Sequence, residues 1–142
     1  MYHPILALLG ALVFVRLLMV GGDGACTIII GNTFANAAGE NWKYFASFMG
    51  AVGAFFAGSN TVSNMTFGGI QDSIAQNLHL SRTTILSLQN VGGAMGNMVC
   101  INNIVAVCSI LGIMNKEGFI LKRTSFPMVI YGLIAAMLAF FI

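Results

Sequence analysis

Gly58-Ser59-Asn60-Thr61-Val62-Ser63-Asn64 decides how this chain is read, because it is a hydroxyl- and amide-rich break between apolar runs in a sequence that is 58% hydrophobic. In hydrocarbon every backbone N–H and C=O must find its partner within the protein, so a non-helical tip at membrane depth persists only inside protein or beside a watery site. The spacing predicts one helical arm from Trp42 to Ala57 and a returning arm from Thr61, with Ser59 and Asn60 outside regular helix. The free N–H groups and positive dipole end of the returning arm then face the tip and suit a carboxylate. Ser59, Asn60 and Thr61, followed by Ser63 and Asn64, add neutral side-chain donors.

Composition sets the solvent. With 142 residues, a mean hydropathy of +0.89, 7% charged residues and 17 glycines, the chain matches an all-α polytopic membrane protein rather than a soluble domain. The net charge is +2 without any basic run, which argues against a nucleic-acid partner. Cys26, Cys100 and Cys108 lack CxxC spacing and paired histidines, so they read as buried thiols, with no metal or organic cofactor implied. No acid pair, Ser–His pair or HExxH spacing points to catalysis.

Outward from the tip, Ile5 to Val20 is an apolar run opened by Pro4, a first span over 5–20 with Arg16 snorkelling to the headgroups. Gly21-Gly22-Asp23-Gly24 is a corner, and Ala25 to Ala38 a helix too short to cross, placed at the interface or against other helices. Lys43 and Tyr44 read as interfacial anchors at the base of a re-entrant hairpin that starts at Trp42 and covers 42–78, and Gly50, Gly53 and Gly58 as packing glycines. The returning arm carries Gln71, Asp72, Gln76 and Asn77 and is expected to leave the membrane quickly. His79, Ser81 and Arg82 mark a surface turn, with Ser81 as N-cap of the next helix.

The second interruption lies within a discontinuous transmembrane helix over 82–113. Thr83 to Val91 has a helical pattern, Gly92-Gly93-Ala94-Met95-Gly96 is the expected break, and Asn97 to Ile113 the resumption. A glycine packing face alone would not explain Gln89, Asn90, Asn97, Asn102 and Asn103 gathered there, since unpartnered amides at bilayer depth cost energy. Gly93, Gly96, Asn97 and Asn102 are therefore counted as site-lining with the tip residues. Lys116, Glu117, Lys122 and Arg123 fall in an expected loop from Asn115 to Thr124, cytoplasmic by the positive-inside rule. The last span is expected over 125–142, with Pro127 in its first turn.

Paired discontinuous helices meeting near the midplane mark secondary transporters. The runs Gly58 to Asn64 and Gln89 to Asn103, with Lys116-Glu117-Gly118 and the basic pair after it, closely resemble the C-terminal part of the lactate permease family. That resemblance implies uptake of L-lactate, and sometimes of D-lactate or glycolate, by proton symport across the bacterial inner membrane. The Ser59-Asn60-Thr61 tip is also similar to the site motif of sodium-coupled dicarboxylate carriers, which makes sodium the alternative coupling ion. Some lactate permeases have Asp and Lys at the positions of Asn60 and Asn97. Neutral residues at both predict that the two positions face each other, because one buried charge left unpaired is costly.

The resemblance further implies a chain about four times as long, so the sequence reads as a C-terminal fragment or one half of a split carrier, with the front of the permease as its partner and no transport alone. Backbone N–H groups at Thr61 to Ser63 and at Asn97 to Met98, with the amides and hydroxyls of both breaks, would hold the carboxylate or hydroxyl of a 2-hydroxy monocarboxylate. Asp23, Glu40, Asp72 and Glu117 all read as loop or near-surface positions, leaving the coupling group elsewhere. The competing reading is a small stand-alone membrane protein that assembles with others through its glycine faces.

Overall fold

The computed structural model describes residues 26–113 and 115–141 together with 13, 17, 20 and 21, so the expected first span over 5–20 lies outside the described residues but for isolated positions. The described part is all-helical. Its six α-helices are α1 (Cys26–Ala38), α2 (Trp42–Ala57), α3 (Asn60–Asn77), α4 (Arg82–Gly96), α5 (Ile101–Leu111) and α6 (Glu117–Phe141).

The turn between α2 and α3 is set by two residues. Gly58 takes the left-handed conformation, φ 67°, that costs other residues a Cβ clash, and its N–H donates to the Ala54 carbonyl at 2.8 Å to close α2. Ser59 is extended and its Oγ accepts from the Val62 N–H at 3.4 Å, capping α3. Asn60, expected outside regular helix, is thus the first residue of α3, because the capping role falls to the serine before it. Trp42 meets Gln71 at the base and Gly50 meets Ser63 nearer the tip, so the two arms run antiparallel.

α4 crosses α2 in the same direction with the two backbones in direct contact. A Cβ on Gly92 would strike the Ser47 carbonyl oxygen, one on Gly96 the Ala51 carbonyl oxygen, and one on Gly50 the Gln89 carbonyl oxygen. This crossing corrects the expected break at Gly92 to Gly96: the glycines stay helical because their missing side chains are the contact surface. The chain breaks one step later, at a 3-10 turn over Asn97–Val99 and an extended Cys100 with ψ 119°, and α5 leaves at 41° to the preceding helix.

α6 begins at Glu117, so the expected basic loop is its first turns and Pro127 lies in its interior rather than its first turn. The ring of Pro127 removes one intrahelical donor, and just upstream the Thr124 and Ser125 hydroxyls donate to the Ile120 and Leu121 carbonyls. Among the described residues α6 is the one helix that is by itself long and apolar enough to cross a bilayer. It runs antiparallel to α2, with Phe48 against Gly132 and the Lys43 ammonium 6.0 Å from the Phe140 ring. Trp42, Ala46, Ile70, Ile74, Ile85 and Leu88 form the core with Ala135 and Ala139 of α6. Trp42, the first residue of α2, is only 4% exposed.

Candidate functional site

The two breaks lie side by side. A Cβ on Gly58 would sit 3.1 Å from Cys100 Sγ and 3.3 Å from Asn103 Oδ1, and Asn103 Nδ2 donates to the Gly58 carbonyl at 3.3 Å. Gly58 precedes the start of α3 by two residues and Cys100 is the N-cap of α5, so the N-termini of two helices converge on one spot. Each contributes a partial positive charge from its unbonded N–H groups.

The two ends differ in what they leave free. At α3 the Val62 N–H is taken by Ser59 Oγ and the Ser63 N–H donates to the Ser59 carbonyl at 3.0 Å. The expected donor set Thr61 to Ser63 therefore shrinks to the first turn, Asn60 and Thr61, with Thr61 exposed. At the second break the new helix starts at Ile101, so the donors are the N–H groups of Ile101, Asn102 and Asn103 in place of Asn97 and Met98. Cys100 gives them no side-chain cap, and Asn102 is exposed.

Behind the tip, a chain of side-chain hydrogen bonds ties α2, α3 and α4 together. Trp42 Nε1 donates to Gln71 Oε1 at 2.7 Å, and Gln71 Nε2 donates to the Ala46 carbonyl at 2.8 Å and to Gln89 Oε1 at 3.0 Å. Gln89 Nε2 donates to Ser63 Oγ at 3.1 Å and to Asn64 Oδ1 at 3.4 Å, while Ser63 Oγ donates to the Gly50 carbonyl at 2.7 Å. Asn64 Nδ2 and Asn60 Nδ2 both donate to Asn90 Oδ1, at 2.7 and 2.9 Å.

Of the sequence-predicted residues, Asn60 lies against Gly93, whose added Cβ would strike Asn60 Oδ1, so the first tip touches α4 one helical turn before Asn97. Asn60 Oδ1 and Asn97 Oδ1 are buried and have no hydrogen-bond partner among the described residues. Asn97 lines a cavity of about 200 Å³ with Asn103, Ile104, Val107 and Ile120. Ser63 and Gly96, by contrast, are fully engaged in holding helices together. Gln71, Gln89 and Asn90 were not among the predicted site residues; the signal for Gln89 and Asn90 was their place in the amide cluster, whereas Gln71, expected to leave the membrane, is 0% exposed. Asp72 pairs with Arg82 at the far end of the hairpin, 2.6 Å apart, and the Arg82 side chain is exposed.

The profile of the L-lactate permease family matches residues 1–142. The chain belongs to the L-lactate permease family. It is 59% identical over 140 residues to the Haemophilus influenzae protein named "Putative L-lactate permease", covering 99% of this chain and 26% of that one. It is 31% identical over 86 residues to the glycolate permease of Escherichia coli, covering 61% of this chain and 15% of that one. It is 30% identical, again over 86 residues, to the L-lactate permease of Escherichia coli, with 61% and 16% covered. This chain thus spans about a quarter or less of the length of these relatives. No solved structure matches it. Membership makes it a bacterial membrane protein of a permease family and points to transport rather than catalysis.

Proposed function

We propose that this chain supplies one half-site of a lactate carrier, and that it binds the carboxylate of lactate or a related 2-hydroxy monocarboxylate where the N-termini of α3 and α5 meet. The observation that carries this reading is the packing of Gly58 against Cys100, which aims two helix N-termini at one place. Such paired ends hold anionic substrates in secondary transporters, where discontinuous helices meet at the membrane midplane. The N–H groups of Asn60 and Thr61 and of Ile101 to Asn103 are the donors, with Ser59, Asn97 and Asn102 around them. Ser63, Asn64, Gly93 and Gly96 hold the frame.

In this reading α2 and α3 form a re-entrant hairpin, α4 and α5 a broken span, and α6 a span that runs outward from a cytoplasmic start. The carrier lies multi-pass in the bacterial plasma membrane. The second half-site, and the group that couples transport to protons or alternatively to sodium, belong to the portion of the permease outside the matched region. In support, the carboxylate Asp72 is engaged with Arg82 at the hairpin's base, away from the tip.

The test is uptake of labelled L-lactate by cells expressing residues 1–142 alone, the Haemophilus influenzae relative, or that relative with residues 1–142 grafted in place of its matched region. Saturable uptake is expected from the relative and the graft and not from residues 1–142 alone. Uptake by the relative but not by the graft, or saturable uptake by residues 1–142 alone, would contradict the reading.

A further inference from the structure

An amide side chain has a donor end and an acceptor end of nearly equal shape, and which end points where is decided by its partners. Here one partner leaves no choice. The indole N–H of Trp42 is a donor only, so the group it meets must be the oxygen of Gln71. The Gln71 NH2 is then turned to the Ala46 carbonyl, an acceptor only, and to the oxygen of Gln89. Gln89 in turn directs its NH2 at the hydroxyl and carbonyl of Ser63 and, at 3.4 Å, at the oxygen of Asn64, and the Asn64 NH2 donates to Asn90. Asn90 must meet it with its oxygen, and the same oxygen takes the NH2 of Asn60. The directions of Gln71 and Gln89 are forced by Trp42 across three helices, and the 3.4 Å contact of Gln89 with Asn64 favours the same sense in the rest of the chain.

The consequence falls on the last member. Asn90 is exposed, and with its oxygen committed inward its NH2 is turned outward. Asn90 lines a cavity of about 580 Å³ along α4 with Arg82, Thr83, Leu86 and Ser87, where two hydroxyls and this amide are the donors to spare, the Arg82 guanidinium being held by both oxygens of Asp72. On a helix otherwise embedded in an apolar chain, such a stripe of donors suits an anion. We propose that Asn90 is a carboxylate-binding residue of the carrier, its N–H groups presented to the substrate anion along the α4 stripe, and that Trp42 positions it by fixing the direction of the buried amide chain. This assignment rests on the proposed transport function.

Asn90→Asp separates the possibilities, because it keeps the inward oxygen and replaces the outward NH2 with a second oxygen. The two N–H donors from Asn60 and Asn64 would hold the new carboxyl ionised, so the outward face changes from donor to negative charge. In the Haemophilus influenzae graft, Asn90→Asp is expected to raise the concentration of lactate needed for half-maximal uptake at least ten-fold, while its melting temperature in detergent stays level or rises. Trp42→Phe, which frees the chain to reverse, should weaken uptake several-fold through the same parameter. Unchanged uptake by Asn90→Asp would overturn the assignment of Asn90. A clear fall in its melting temperature would overturn the amide direction, since an Asn90 whose NH2 pointed inward could not be replaced by a carboxylate without loss. A parental graft without saturable uptake would remove the transport reading and the role of Asn90 with it, and the melting measurements would still decide the direction of the chain.

Discussion

The two breaks in this chain turn through opposite devices. The first, at Gly58-Ser59, is closed: a left-handed glycine ends one helix, and a serine hydroxyl satisfies an N–H of the next. The second, at Asn97 to Cys100, is open, since the helix loosens into a 3-10 turn, extends at Cys100, and restarts without a side-chain cap. A hairpin tip that needs only to hold its shape is best closed. A helix end that receives a ligand is best left with N–H groups to spare, because a cap and a carboxylate compete for the same donors. For the proposed half-site, the difference would make the first break mainly structural and give the second the larger share of binding.

The contrast depends on the glycine crossing that holds the breaks together, and removing it should have the largest effect. Gly92→Ala places a methyl group against the Ser47 carbonyl, with backbone on both sides and no side chain to yield. It should cost about 3 kcal/mol or more, by overpacking, and the folded protein should fail to accumulate. Gly68→Ala, where an added Cβ meets nothing within 4 Å, is the control and should be neutral or stabilising by up to about 1 kcal/mol. Comparable melting in detergent for both variants would show that the crossing does not depend on a bare glycine backbone.

Gly58→Ala is the next in size. It forces a Cβ into the left-handed region, at about 1–2 kcal/mol, and should lower the melting temperature by several degrees. Lactate uptake in the graft should fall in step with the amount of folded protein and no further, if the first break is chiefly structural.

The smallest stability effect, and the one that best separates the two breaks, is that of Cys100→Ser. The hydroxyl gives α5 the N-cap it lacks, which should stabilise the helix by roughly 0.5–1 kcal/mol. The same hydroxyl competes for the N–H groups of α5, so lactate affinity should fall while the melting temperature rises. Stability and affinity rising together would show that those N–H groups do not hold the substrate.

The first break was legible because its signals are local. The polar run from Gly58 to Asn64 between two apolar ones locates the turn, although Gly58, expected as a packing glycine, is the left-handed residue and Ser59 the cap. The second was misplaced by a few residues because Gly92-Gly93-Ala94-Met95-Gly96 reads locally as a helix breaker, and only the approach of Ser47 and Ala51 from another helix reveals a packing face. The pairing of Trp42 with Gln71 is hidden for the same reason: the two are 29 residues apart, beyond the reach of any local pattern. The amides were recognised as a cluster, but which of them face each other and which face outward depends on the helix register set by those glycines.

Whether the two breaks form one site can be tested by a cross-link between them. A cysteine at position 58 would place its Cβ 3.1 Å from Cys100 Sγ, within reach of a disulfide. Gly58→Cys, made in the Haemophilus influenzae graft with Cys26 and Cys108 replaced by serine, is to be oxidised, cleaved between the two positions and resolved with and without reductant, alongside lactate uptake. The fragments should stay joined until reduced, and uptake should stop on oxidation and return with reductant. Fragments that separate without reductant, or uptake that continues through the cross-link, would show that the two breaks do not act as one site.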